Sequence, residues 1–107
     1  MISINEFKKV EMKVGKVLQA ERVKGSDKLL KLRVSFGETQ KQVLTGLAAL
    51  YQPEHFVGKQ FVFVTNLETR KIRGEVSEAM LLTAVESEDK IVPVVPETDV
   101  KEGTIIM

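Results

Sequence analysis

Two cations stand two residues apart in Leu30-Lys31-Leu32-Arg33-Val34, with apolar residues alternating between them. On an extended strand that spacing puts Lys31 and Arg33 on one face, roughly 6–7 Å apart. It approximates the separation of successive phosphates on an extended chain, and Lys28 in the preceding turn lengthens the row. A second basic group lies in Asn66-Leu67-Glu68-Thr69-Arg70-Lys71-Ile72-Arg73-Gly74, with Arg70, Lys71 and Arg73 falling within four positions. Arginine grips a phosphate bidentately or stacks on a base, whereas lysine acts as a mobile point charge. Gly74 lets backbone approach a ligand closely. The order Gly-x-x-x-x-Gly-Lys-Ser/Thr of a nucleotide-triphosphate loop is missing. Either group alone is also what a solvated strand or a soluble loop looks like; together they point to phosphate. Met80 beyond the loop offers either a soft contact to a base or barrel packing.

Other chemistries are poorly served. Cysteine is absent, which removes disulfides and thiolate metal sites. His55 is the only imidazole, and Pro53-Glu54-His55-Phe56 reads as a surface turn, so a histidine-based triad is not expected. No carboxylate pair stands out from the surface acids. Neither a catalytic role nor a metal or cofactor is expected. At 107 residues, 43% hydrophobic and 29% charged, the chain reads as one globular domain over 1–107. No apolar run approaches the ~18 residues of a membrane span and no signal segment opens the chain. The cytoplasm is the expected compartment.

The formal charge of +1 conceals an asymmetry. Residues 1–74 carry 14 Lys/Arg against 7 Asp/Glu, while residues 75–107 carry 2 Lys against 8 acids. A one-sided field matters more to a polyanion than the total does, because screening limits its reach to about 10 Å. Aromatic residues are few: five Phe, one Tyr and no Trp. Phe36, Phe61 and Phe63 fall at core-like positions. Stacking along a long unpaired strand needs exposed aromatic platforms, so the scarcity favours folded RNA read by shape, phosphates and 2′-hydroxyls.

Placing these residues requires strands. Ser3 and Glu6 form a capping-box pattern that predicts a short helix over about residues 4–9. Alternation from Val10 to Val14 opens a long first strand, and Gly15-Lys16 breaks its phase, predicting a bulge there. Leu30 to Phe36 and Gln40 to Thr45 are the second and third strands, and Gly46 to Gly58 is a connection with short helical turns. Phe61 to Val64 is apolar on both faces, so it should be covered on both. A fifth strand is expected over about Ala79 to Val85, then extension strands near Ile91–Pro96 and Thr104–Met107. This all-β pattern, five strands with short helices and a C-terminal extension, describes an oligonucleotide-binding (OB) barrel. Other small barrels share the periodicity.

Val14-Gly15-Lys16-Val17 followed by Ser26-Asp27-Lys28-Leu29-Leu30-Lys31-Leu32 resembles the family of tRNA-binding domains appended to methionyl-tRNA synthetases. Related domains occur in endothelial-monocyte-activating-polypeptide-like cytokines and as free-standing bacterial tRNA-binding proteins. The resemblance runs on through Leu44-Thr45-Gly46-Leu47-Ala48, Tyr51, Pro53-Glu54, Val57-Gly58-Lys59 and Asn66-Leu67. It continues through Arg70-Lys71-Ile72-Arg73-Gly74, Ser77 and Met80-Leu81-Leu82, and so covers about residues 8–107. It implies an OB barrel that holds tRNA by shape, through Lys28, Lys31, Arg33, Asn66, Lys71, Arg73, Ser77 and Met80. A homodimer is implied too, and Ile105-Ile106-Met107 and the doubly apolar fourth strand fit that independently. Two positions depart from the pattern. Thr69 replaces a proline, which loosens the loop; Glu78-Ala79 replaces a glycine before Met80 and sets an acid near the expected phosphates.

The expected function is a non-catalytic tRNA-binding module, the C-terminal or beta domain of a methionyl-tRNA synthetase, raising tRNA affinity in cis or in trans. A separately encoded subunit with a catalytic synthetase partner, a stand-alone protein and an excised domain all fit. Two rivals stay open: a protein-binding, chaperone-like scaffold and a general single-stranded nucleic-acid binder. A small aminoacylating enzyme is not expected, since nothing resembles an ATP site.

Overall fold

The computed structural model describes every residue from 1 to 107. The chain opens with α1 (Ile4–Phe7), where the Ser3 hydroxyl accepts from the Glu6 N–H and the Glu6 carboxylate accepts from the Ser3 N–H. Four residues cannot sustain a helix by propensity alone, and none of these four is buried. Strands β1 (Met12–Arg22), β2 (Leu30–Ser35) and β3 (Gln40–Thr45) follow as an antiparallel meander. A single 3-10 turn, Pro53–His55, interrupts the connection to β4 (Gln60–Val64). Beyond it come β5 (Arg70–Ile72), β6 (Glu75–Ser77), β7 (Met80–Leu81), β8 (Thr83–Ser87), β9 (Lys90–Pro93) and β10 (Ile105–Ile106). The main sheet runs β3-β2-β1-β4-β7, with β10 also on β1. These five antiparallel strands curl into a nearly closed OB-like barrel, as the periodicity predicts. No helix is long and apolar enough to cross a membrane.

The core follows from alternation. Leu30, Leu32 and Val34 of β2 point inward and are fully buried, joined by Val17, Val43, Phe56, Phe61 and Phe63. Phe36 meets Phe63 edge to ring at 5.5 Å between centroids, a geometry worth about 0.5–1.5 kcal/mol beyond its area. Gly15 proves to be a packing glycine, because a Cβ there would lie 2.5 Å from Val34 Cγ1 and 2.7 Å from Phe36 Cε1. The bulge expected at Gly15-Lys16 sits three residues on: the β1–β2 register shifts between Val17 and Gln19, and Leu18 is pushed outward to solvent.

The barrel closes without a regular ladder. Along the free edge of β3, the Leu44 N–H donates to the Ser77 hydroxyl at 3.0 Å, and that hydroxyl donates to the Ala79 carbonyl. One turn of pleat away, the Gln42 N–H donates to the Glu78 carboxylate at 2.9 Å while the Glu78 N–H donates to the Gln42 carbonyl at 2.8 Å. Side chains thus take the place of backbone partners along the seam. They satisfy donors that would otherwise cost about 1–3 kcal/mol each when buried.

The single fifth strand expected over residues 79–85 is two strands. At Leu82 the chain changes partner: β7 pairs with β4, whereas β8 pairs with β9 in a separate hairpin. Leu82 bridges the two, its N–H donating to Val62 and its carbonyl accepting from Val94. The partner switch ends the strand, which local apolar periodicity does not reveal.

Candidate nucleic-acid interface

The outer face of β1–β3 is built in two rows by the strand register. Glu21, Lys31 and Leu44 oppose one another in one row, and Gln19, Arg33 and Gln42 in the next. Lys31 and Arg33 point outward because Leu30, Leu32 and Val34 point in. Between the rows lies a polar hollow of about 380 Å³, walled by Gln19, Glu21, Lys31, Arg33 and Gln42. Lys28 is exposed in the turn before β2, where the Ser26 hydroxyl accepts from the Lys28 and Leu29 N–H groups and the Lys28 carbonyl accepts from Ala48.

The basic segment is a hairpin rather than an irregular loop. β5 and β6 pair through Arg70↔Ser77, Lys71↔Val76 and Ile72↔Glu75, leaving Arg73-Gly74 as a two-residue turn. Both turn residues have positive φ, 54° for Arg73 and 79° for Gly74. That is the primed turn whose twist matches an antiparallel pair. Gly74 therefore serves the turn itself. Arg73 is the only non-glycine residue with positive φ and sits at the hairpin's tip.

The hairpin is fastened to the barrel face by an acid. Glu75 Oε2 lies 3.2 Å from Lys31 Nζ, and Glu75 Oε1 accepts from Gln42 Nε2 at 3.2 Å. Gln42 Nε2 also donates to the Val76 carbonyl at 2.9 Å. Lys31 has a second carboxylate, Glu21, at 3.2 Å. The hydrogen bonds it donates to Glu75 and then to Glu21 hold its pKa above the usual lysine value. None of Lys28, Arg33, Arg70, Lys71 and Arg73 makes an ion pair.

The remaining expected site residues lie in other surroundings. Asn66 is exposed after β4, and its amide is committed to the N-terminal segment, accepting from the Glu11 N–H and donating to the Lys9 carbonyl. Ser77 is 2% exposed with its hydroxyl used in the seam, so it presents no group outward. Met80 is exposed on β7, beside Val64. Glu78 turns its carboxylate to the Gln42 N–H, which gives this acid a barrel-closing contact. Glu75, Gln42 and Glu21 carry the geometry of the face and were not singled out from the sequence. Each partners a residue distant along the chain, and only the expectation that a strand cation seeks a carboxylate could have flagged them.

A second surface is apolar. Ile4, Phe7, Val10, Met12, Ile105, Ile106 and Met107 surround a groove of about 400 Å³, where β10 lies against the start of β1 through Met12↔Ile106 and Lys13↔Ile105.

Comparison with known proteins places this geometry. A family model described as "Putative tRNA binding domain" matches residues 12–105. The methionine–tRNA ligase of Methanospirillum hungatei is 49% identical over 105 residues, 98% of this chain and 15% of that enzyme. That of Clostridium tetani is 47% identical over 88 residues, 82% of this chain and 14% of the enzyme. The chain thus spans about one seventh of the length of these curated relatives. Among solved structures, a MetRS related protein from Pyrococcus horikoshii superposes with a TM-score of 0.93 at 39% identity, covering all of this chain and 98% of that one. The chaperone CsaA from Bacillus anthracis superposes with a TM-score of 0.90 at 28% identity, covering 100% and 99%. A match over nearly the whole chain, on a barrel whose outer face and hairpin gather the cations, makes this chain a member of the tRNA-binding domain family.

Proposed function

We propose that the chain is a shape-reading tRNA-binding module that raises the tRNA affinity of a methionyl-tRNA synthetase, joined to it in cis or meeting it in trans. The observation that carries this is the set of unpaired cations Lys28, Arg33, Lys71 and Arg73, arranged around a polar hollow and a fixed hairpin. Exposed aromatic rings are absent from that face, so binding rests on phosphates and contour more than on stacked bases. A weak contact of this kind acts through effective concentration, strengthening a complex without touching its chemistry.

The functional unit in this reading is a homodimer. The apolar groove supports it: α1 buries nothing within the chain, Ile105 is 63% exposed, and a second copy of the same groove would cover both. The test of the whole reading is titration of folded tRNA and an equally long unstructured RNA at several salt concentrations. Four to six phosphate contacts set a log–log salt slope of about −3 to −5. Preference for the folded RNA supports the proposal. Equal binding would identify a general single-strand binder, and no binding at low salt would remove nucleic acid altogether.

The likeness to a protein titled as a chaperone favours one rival, a scaffold that takes polypeptide. The triple variant Lys31→Glu, Arg33→Glu, Arg73→Glu separates the two. Loss of tRNA binding supports the module; unchanged tRNA affinity supports the scaffold.

A further inference from the structure

Among all the acids on the chain, Glu75 occupies the least expected position: inside the basic hairpin, next to Gly74, on the face that collects cations. A carboxylate there opposes a polyanion by simple Coulomb repulsion. Yet Glu75 is the only side chain that reaches from the hairpin to both β2 and β3, through Lys31 at 3.2 Å and Gln42 at 3.2 Å. Gln42 completes the grip by donating to the Val76 carbonyl of the same hairpin. Lys31 in turn is steadied from β1 by Glu21. Its ammonium is thus held between two carboxylates, with half-buried surroundings and little freedom to follow a phosphate. Two strands of the barrel, β2 and β3, thus converge on one carboxylate at the base of the turn that carries Arg73.

We propose that Lys31 and Glu75 are a positioning pair: they clamp the β5–β6 hairpin to the barrel face and so present Lys71 and Arg73 to RNA at a fixed angle. This deepens the tRNA reading above and rests on it. Glu75, although negative, strengthens the binding of a polyanion. An unclamped hairpin of three-residue strands would sample many orientations, and ordering it on binding would cost affinity.

The sign of one substitution decides the matter. Glu75→Ala removes a negative charge from the RNA face, so repulsion alone predicts tighter binding. The clamp predicts weaker binding, on the order of tenfold, with the salt slope unchanged because no phosphate contact is lost. Glu75→Gln, which keeps the shape and one hydrogen bond, should fall between wild type and Glu75→Ala. Lys31→Met should weaken binding to a similar extent, again without moving the salt slope, and the double variant should be no worse than either single one. Amide exchange measured without RNA supplies an independent arm, since β5–β6 amides should exchange faster in Glu75→Ala while β1, β2 and β4 stay protected. Tighter binding by Glu75→Ala, or a salt slope reduced by about one contact in Lys31→Met, would overturn the positioning role. Failure of the wild-type chain to bind folded tRNA sinks the tRNA reading instead, and the exchange arm then still decides whether the clamp exists.

Discussion

Arg73 holds a backbone conformation that a long side chain adopts at a cost. Its φ of 54° puts it in the left-handed region, where asparagine and glycine are at ease. Arg73→Asn should therefore raise the free energy of unfolding by up to about 1 kcal/mol. It should also weaken tRNA binding by roughly tenfold, with a salt slope shallower by about one contact. Denaturant unfolding and RNA titration of one preparation check both halves. A gain in stability with unchanged affinity would take Arg73 off the RNA face. His55 supplies a prediction in pH. Burial and then Lys59 push its pKa below the ordinary 6.5, and its ring packs 4.7 Å from that of Tyr51. The unfolded chain thus takes up the proton first. Stability should be full above about pH 6.5, fall as pH drops from there through the folded pKa, and level off below it. His55→Gln should flatten that part of a stability–pH profile.

At the scale of elements, the seam between β3 and β6–β7 makes the sharpest prediction. Ser77→Ala leaves the Leu44 N–H without its acceptor in a buried setting, a loss of about 1–3 kcal/mol in chemical unfolding. The folded variant should bind RNA as tightly as wild type, because Ser77 faces the barrel. Reduced affinity at unchanged stability would return it to the interface. How far such features were legible depends on whether they are local. Leu30, Leu32 and Val34 announce β2 because alternation is a neighbour-to-neighbour property. Gln40 to Thr45 was legible to its last residue, and Ser3–Glu6 marked α1 by its cap. The turn at Arg73-Gly74 was half legible, since Gly74 signals a turn while nothing in an arginine signals positive φ. The closure by Ser77 and Glu78 and the grip of Glu75 on Lys31 join residues more than thirty positions apart. No periodicity encodes such pairs, so the residues expected to touch RNA and those that brace the face could not be told apart.

On the scale of the whole molecule, the surplus of cations in residues 1–74 and of acids in residues 75–107 is only partly separated in space, since Glu75 and Glu78 join the cation-bearing face. Lys31 and Arg33 lie on the β1–β3 face and Arg70, Lys71 and Arg73 on the β5–β6 hairpin, whereas Glu86, Glu88 and Asp89 sit on and around the β8–β9 turn. The groove around Phe7 and Ile105 is a third surface, and the proposed dimer stands or falls there. Phe7→Asp should shift sedimentation from dimer to monomer. It should also weaken tRNA binding on the order of tenfold or more, because two linked faces act with an effective concentration that one lacks. A wild-type chain that sediments as a monomer at high concentration would remove the dimer.

Met12 begins β1 and Ile106 ends the strand beside it, so the chain enters and leaves these strands on the same rung. Tension applied between the two ends would load that antiparallel pair one rung at a time, the geometry of a zipper rather than of a sheared splice. Within that pair the Met12 and Lys13 rungs would part first, followed by the Val14–Thr104 and Gly103–Val14 bonds. The Ser77–Glu78 seam carries none of that first load. Pulled by its ends, the domain gives way as a strap before it gives way as a barrel, and the proposed RNA face stays assembled while the strap peels.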